Sequence, residues 1–138
     1  MPFHEDLKLG QKYEKKALEH LEYDTYKIME GNFKPYDIRI WKNHELTKYE
    51  IKCDRLSIKT GNLAIEYECN NKPSGITSTE ADNYLYFIIK PNDEYDLYNV
   101  PVGYLKNMCK DCRSVKGGDG YRSKMYLLKK EKLLNYLV

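Results

Sequence analysis

The residues best suited to chemistry are Asp37 and the triplet Glu50-Ile51-Lys52, which begins thirteen residues later. Both lie in short runs rich in Ile, Tyr and Trp, which are typical of β-strands. Because alternate side chains of a strand share a face, Glu50 and Lys52 stand side by side while Ile51 turns into the other layer. If the two strands pair as a hairpin, Asp37 at the head of the first strand faces Glu50 on the second.

Two facing carboxylates beside a lysine indicate metal-dependent chemistry. Asp37, Glu50 and the backbone carbonyl of Ile51 would form an oxygen-rich pocket that suits Mg2+ with several retained waters. Such a metal polarises a phosphoryl oxygen, lowers the pKa of a bound water and neutralises a departing oxygen, while Lys52 helps to form or stabilise the attacking hydroxide. On spacing alone, a solvated strand face with an incidental ion pair is the commoner explanation of such a triplet.

The sequence also predicts the elements that position these residues. Apolar residues at three- and four-residue steps predict a helix over 5–22. Strands are predicted over 36–41, 46–53, 63–69, 84–89, 96–100 and 124–128, helices over 102–112 and 130–137, and a loop over 115–120. The expected fold class is α/β (α+β), with a central mixed sheet of four to five strands flanked by helices.

Length and composition set limits on the class of protein. The 138 residues predict a single domain over 1–138, and 41% hydrophobic with 32% charged residues excludes a disordered tail. No apolar run approaches the roughly 20 residues that span a bilayer, so no membrane partner is expected. The N-terminus lacks the layout of a secretory signal, which predicts an intracellular location. The net charge of +2 says nothing about nucleic acid by itself.

The segments Pro35-Tyr36-Asp37 and Glu50-Ile51-Lys52 resemble the two motif halves of the PD-(D/E)XK nuclease superfamily, with the aspartate two residues after the proline. The stretches 59–66, 73–76 and 79–84 are similar to a branch of small phage and viral members. The resemblance implies the restriction-endonuclease-like fold and catalysis by Asp37, Glu50 and Lys52, with Mg2+ or Mn2+ as cofactor. In a phage or virus the location would be the host cytoplasm.

Two further glutamates are candidates for the site. In the family a glutamate of the N-terminal helix usually supports the metals, and Glu14 occupies that position, although a surface glutamate is the commoner state of such a residue. The quartet Glu14, Asp37, Glu50 and Lys52 also resembles the active site of phage Holliday-junction resolvases. Glu66, on the third predicted strand, either approaches the metal pocket or orients Lys52.

Three polar loops are candidate contacts to nucleic acid, because their backbone N–H groups, hydroxyls and cations could meet phosphates. Ordinary turn chemistry and the capping of a helix expected after Ser74-Gly75 explain part of them equally well. A basic excess in the last third of the chain supports binding if its members share a face. The candidates are Lys59, Thr60, Asn62, Ser74, Gly75, Lys116, Gly117, Gly118 and Arg122.

The pair Cys109-Lys110-Asp111-Cys112 raises zinc or redox chemistry, and we expect neither. A structural zinc site needs four ligands, and the histidines and other cysteines are scattered. A thioredoxin-like pair opens a helix, whereas this one falls near a helix end. Nothing resembles a nucleotide-binding loop, so no nucleotide cofactor is expected.

The sequence therefore predicts a metal-dependent DNA endonuclease that is guided by DNA structure rather than sequence. A homodimer is expected if two strands must be cut. One alternative is a non-catalytic nucleic-acid-binding module or accessory subunit with the same fold, and another is a nuclease that acts on RNA.

Overall fold

A computed structural model describes residues 3–33 and 35–138. It contains nine strands and three α-helices in the described residues, with short 3₁₀ helices at Asp119–Tyr121 and Lys130–Tyr136. The elements in chain order are α1 (Phe3–Glu19), β1 (Thr25–Ile28), β2 (Ile38–Lys42), β3 (Glu45–Asp54), α2 (Ser57–Thr60), β4 (Asn62–Cys69), β5 (Lys72–Pro73), β6 (Asn83–Ile89), β7 (Tyr95–Pro101), α3 (Val102–Cys109), β8 (Arg113–Gly117) and β9 (Ser123–Lys129).

The central sheet has five strands in the order β1-β2-β3-β6-β7. Strands β1, β2 and β3 form an antiparallel meander, β6 runs parallel to β3, and β7 returns antiparallel. The predicted hairpin between β2 and β3 is confirmed, and its turn residues Asn43 and His44 have φ values of 51° and 69°. Positive φ at both positions gives the twist that joins two antiparallel strands closely.

A second sheet of four antiparallel strands, in the order β5-β4-β9-β8, accompanies the first. The mixed α+β class and the mixed central sheet are confirmed. Helices flank the central sheet as expected, but on the face that carries Tyr84 and Tyr86 the side chains of β4 and β9 are buried together with those of α3. Apolar alternation cannot distinguish a strand beside the sheet from a strand stacked on it.

Helix α1 covers the opposite face of the central sheet. Its side chains Tyr13 and Ala17, four residues apart, are almost fully buried against Ile38, Leu85 and Phe87. The rings of Tyr13 and Phe87 lie 4.8 Å apart. The spacing of apolar residues on α1 therefore determines which face of the helix packs on the sheet, as is typical of an amphipathic helix.

Several predicted boundaries differ from the structure. Helix α3 ends at Cys109 rather than at 112, and the predicted loop over 115–120 is partly strand β8. Residues 74–79 form turns without the helix expected after Ser74-Gly75, and 130–136 is a 3₁₀ helix. Strands β1 and β5 were not predicted because they are short and exposed. No helix in the described ranges is long and apolar enough to cross a membrane.

Candidate active site

Asp37 and Glu50 lie next to each other on neighbouring strands. The pairing of Ile38 with Tyr49 in the β2–β3 ladder brings the residue before β2 alongside Glu50. Backbone hydrogen bonding continues to that point, since the Asp37 N–H donates to the Tyr49 carbonyl at 2.9 Å. The Ile51 N–H donates to Asp37 Oδ2 at 2.7 Å, which fixes the carboxylate against β3. The expected juxtaposition of the two acids is present.

Lys52 shares the face of Glu50. Its Nζ lies 3.8 Å from Glu50 Oε2 and 5.9 Å from the centroid of the Tyr84 ring. The Glu50 side chain is 16% exposed and that of Lys52 is 41% exposed. Ile51 turns to the other face and packs with the cluster under α1. The period of two along β3 therefore separates the polar site from the apolar core.

The site concentrates negative charge. Burial, followed by the charge of Asp37 and a hydrogen bond with it, raises the pKa of Glu50 to about 8, although Lys52 opposes this shift. Burial and the charge of Asp37 also raise the pKa of Glu14 to about 7. Glu14 therefore lies within the electrostatic field of the other two acids. Mutual repulsion among these partly buried carboxylates favours the binding of a proton or a cation.

The donor set fits Mg2+ or Mn2+. Both carboxylates supply the hard oxygen ligands that these ions prefer, and Mg2+ is commonly held by one or two carboxylates together with waters and substrate phosphate. The described residues contain no cluster of three or more His, Cys, Asp or Glu side chains arranged to hold a metal ion. An ion at Asp37 and Glu50 would therefore take its remaining ligands from the Ile51 carbonyl, water and substrate. Glu14 as a supporting residue stays a prediction.

Glu66 lies near Lys52, as it must if its role is to orient Lys52. A cavity of about 110 Å³ is lined by both residues together with Tyr84, Tyr86 and Gly75. A carboxylate oxygen of Glu66 accepts a hydrogen bond from the hydroxyl of Ser123 at 2.7 Å. The position of Glu66 on β4 is thus tied to the start of β9.

Ser74 and Gly75 have a clear structural role. Gly75 has a φ of +51°, and a Cβ atom there would clash with the backbone oxygen of Glu66. The Ile76 N–H donates to that same oxygen at 2.9 Å, and the Ser74 N–H donates to the Tyr67 carbonyl at 3.1 Å. These backbone donors are therefore used to hold the loop against β4, and contacts to phosphate stay a prediction.

The other predicted nucleic-acid contacts form two separate groups. Thr60 and Asn62 bond to each other at the start of β4, where Asn62 lines a cavity of about 340 Å³ with Arg113, Lys129 and Lys132. Lys59 is exposed in the neighbouring α2.

At the other end of β4, the β8–β9 turn approaches the site through Ser123. Gly117 pairs with Ser123, and Lys116 pairs with Lys124. A Cβ atom on Gly118 would lie 3.1 Å from the Ser123 hydroxyl oxygen. Arg122 is exposed on this turn. Lys116, Gly117, Gly118 and Arg122 therefore lie on the side of the second sheet nearest to Glu66.

All four cysteines are free thiols. Burial raises the pKa of Cys109 to about 12, and the nearby Cys112 thiol adds to this shift. The Cys112 thiol donates to the Met108 carbonyl, with the two atoms 3.4 Å apart. Cys109 is thus a protonated core residue at neutral pH, which makes it a poor nucleophile.

Two residues at the site were missed by the sequence analysis. Tyr84 pairs with Glu50 in the parallel β3–β6 ladder and is 1% exposed, and burial raises its pKa. Ser123 holds Glu66. Both contacts join segments that are distant in sequence, and no local pattern marks them.

Comparison with protein-family models finds no match, and comparison with curated proteins finds no significant relative.

Proposed function

We propose that this protein is a metal-dependent nuclease of the PD-(D/E)XK type that hydrolyses phosphodiester bonds in DNA. One observation carries the proposal: Asp37, held by the Ile51 N–H, stands beside Glu50 with the Lys52 ammonium 3.8 Å away on the same face. On a solvated strand face both acids would be exposed to water. Here they are partly buried together, which is costly unless a proton or a cation joins them.

Each residue of the site has a separate role in the proposed reaction. A divalent ion, when bound, supplies Lewis-acid activation of the phosphoryl group and of water. Asp37 and Glu50 hold that ion, and the hydrogen bond from Ile51 keeps the Asp37 carboxylate oriented. Lys52, fixed near Glu50 and Tyr84, stabilises the hydroxide that attacks phosphorus. The pKa of Glu14 is raised to about 7, so a bound cation would favour its ionised form, which would add negative charge near the ion.

The substrate proposed is branched or otherwise irregular DNA, as expected for repair or recombination, because the described fold offers few elements for reading bases. A homodimer would allow both strands to be cut. The four free thiols fit a reducing intracellular compartment, which would be the host cytoplasm for a phage or virus.

The direct test measures cleavage of branched, single-stranded and linear duplex DNA with Mg2+ and with EDTA. Lys52→Ala and Asp37→Ala should each lower the rate by about 100-fold or more, the usual cost of losing a group that stabilises transition-state charge. Lys90→Ala is the matched control, since Lys90 pairs with Asp96 instead. Equal cutting by all four proteins would exclude these residues from the mechanism.

Two outcomes would redirect the proposal. Salt-sensitive binding to DNA without any metal-stimulated turnover would make the protein a non-catalytic binding module. Faster cutting of RNA than of DNA with the same sequence would make it an RNA-directed nuclease.

A further inference from the structure

A row of three cations crosses the central sheet beside the candidate active site. Lys27 of β1 pairs directly with Arg39 of β2, and Arg39 pairs directly with Lys48 of β3. Strand alternation places the row on the same face as Asp37 and Glu50, two residues away along β2 and β3, or about 7 Å. The opposite face carries Ile38, Ile40 and Tyr49 in the core under α1.

No side chain of this row forms an ion pair within the described chain, although the Asp82 carboxylate accepts a hydrogen bond from the backbone N–H of Lys48 at 2.8 Å. The ion pairs found there involve Lys42, Lys52, Lys90 and Lys124, and none includes a member of the row. Like charges directly opposite each other destabilise a sheet. The Nε of Arg39 is also buried without a hydrogen-bond partner in the described residues. An external anion cannot reach the enclosed Nε, but a row of cations without ion-pair partners attracts an anion to its accessible groups.

Aromatic rings lie among these cations. The Arg39 guanidinium is 4.9 Å from the centroid of the Trp41 ring, and Lys48 Nζ is 5.5 Å from that of Tyr36. Trp41 is the next residue along this face of β2, and it lines an open cavity of about 460 Å³ with Asp24, Thr25 and His44. An acidic, a cationic and an aromatic side chain therefore follow one another along this face of β2: Asp37, Arg39 and Trp41.

We propose that this face binds an unpaired DNA strand: Lys27, Arg39 and Lys48 hold the phosphate next to the one at Asp37 and Glu50, and an extruded base stacks on Trp41. A cationic row with an adjacent aromatic platform is the arrangement that binds single strands without reading sequence. In a duplex, the faces of the bases are covered by their neighbours, so Trp41 contributes only to an unpaired segment. This inference deepens the proposed function. The position of the bound strand relative to the cleaved bond rests on that function.

The test is binding in EDTA, which removes cleavage, measured by fluorescence anisotropy with a labelled single strand and the matching duplex. Trp41→Ala should weaken single-strand binding by about tenfold and leave duplex binding unchanged, whereas Trp41→Phe should retain most of the affinity. The combined change Lys27→Gln, Arg39→Gln and Lys48→Gln should weaken binding and lower the salt slope by about two. Lys90→Gln should bind like the wild type.

Wild-type affinity of the triple variant would overturn the inference, as would an equal loss on duplex and single strand in Trp41→Ala. Thermal melting of each variant checks folding, and Trp41→Phe supplies a folded comparison if the alanine variant melts early. A protein that binds as described but never cuts DNA overturns the nuclease proposal alone. One that cuts DNA with wild-type binding by every variant overturns this inference alone.

Discussion

The Asp37 carboxylate accepts a hydrogen bond from the backbone N–H of Ile51 at 2.7 Å, so a side chain at the start of β2 is locked to the middle of β3. This contact holds one proposed metal ligand beside the other, Glu50. It also satisfies a partly buried N–H group at a point where the β2–β3 ladder ends. The same carboxylate thus serves both folding and the proposed chemistry.

Comparison of Asp37→Asn with Asp37→Ala should separate these roles. Asparagine keeps an acceptor for the Ile51 N–H, while alanine removes it, so the alanine variant should be less stable than the asparagine variant by about 1–3 kcal/mol. Both variants should lose metal-stimulated cleavage. Urea unfolding without metal measures the difference, and equal stabilities would show that the hydrogen bond is unimportant.

Glu50 should make the metal-free protein sensitive to pH. Its pKa rises from 4.5 to about 8 on folding. Below pH 4.5 the Glu50 carboxyl is protonated in both the folded and the unfolded protein, so it does not affect the free energy of unfolding. Between pH 4.5 and pH 8 the carboxyl ionises freely only in the unfolded protein, so the stability of the folded protein falls as pH rises. Glu50→Gln removes this penalty. The melting temperature of Glu50→Gln minus that of the wild type should therefore increase from pH 4.5 to pH 8. A difference that stays constant over this range would contradict the raised pKa of Glu50.

Mg2+ should reverse that penalty in the wild type. A cation bound to Asp37 and Glu50 stabilises the ionised folded state, and more so at pH 8 than at pH 5, where protons compete. Melting temperatures with and without Mg2+ measure the effect at each pH. Glu50→Gln should show a smaller increase, and an equal increase in both proteins would place the ion elsewhere.

Gly75→Ala should damage the loop beside the active site. The new Cβ would meet the Glu66 carbonyl oxygen, and φ is +51°. Gly31→Ala is a matched control, because Gly31 has a φ of +67° and nothing lies within 4 Å of the added atom. The Gly75 variant should lose about 1–3 kcal/mol more than the control because of the clash. Chemical unfolding of both measures this difference, and similar losses would show that the loop relaxes freely.

Cys109 should react slowly in the native protein. Its buried thiol has a pKa of about 12, so little thiolate exists at neutral pH. Iodoacetamide labelling followed by mass spectrometry should show much slower modification of Cys109 in native than in urea-unfolded protein. Equal rates would contradict a core role and reopen redox chemistry for the Cys109–Cys112 pair.

Local sequence patterns determined the elements that carry the site. The spacing of Tyr13 and Ala17 predicts the buried face of α1, and alternation along β3 places Glu50 and Lys52 on one face with Ile51 on the other. The hairpin between β2 and β3 needs only a two-residue turn, so the meeting of Asp37 with Glu50 follows from short-range pairing. These features depend on neighbouring residues, which is why the sequence reveals them.

Tertiary structure alone decided what surrounds the site. The stacking of β4 and β9 on the central sheet, the contact of Tyr84 with Lys52 and the bond from Ser123 to Glu66 join segments far apart in the chain. The cationic row depends likewise on the register of β1, which the sequence does not predict because this strand is short and exposed. Periodicity reports which face of an element is apolar, but the partner of that face is chosen by packing of the whole chain.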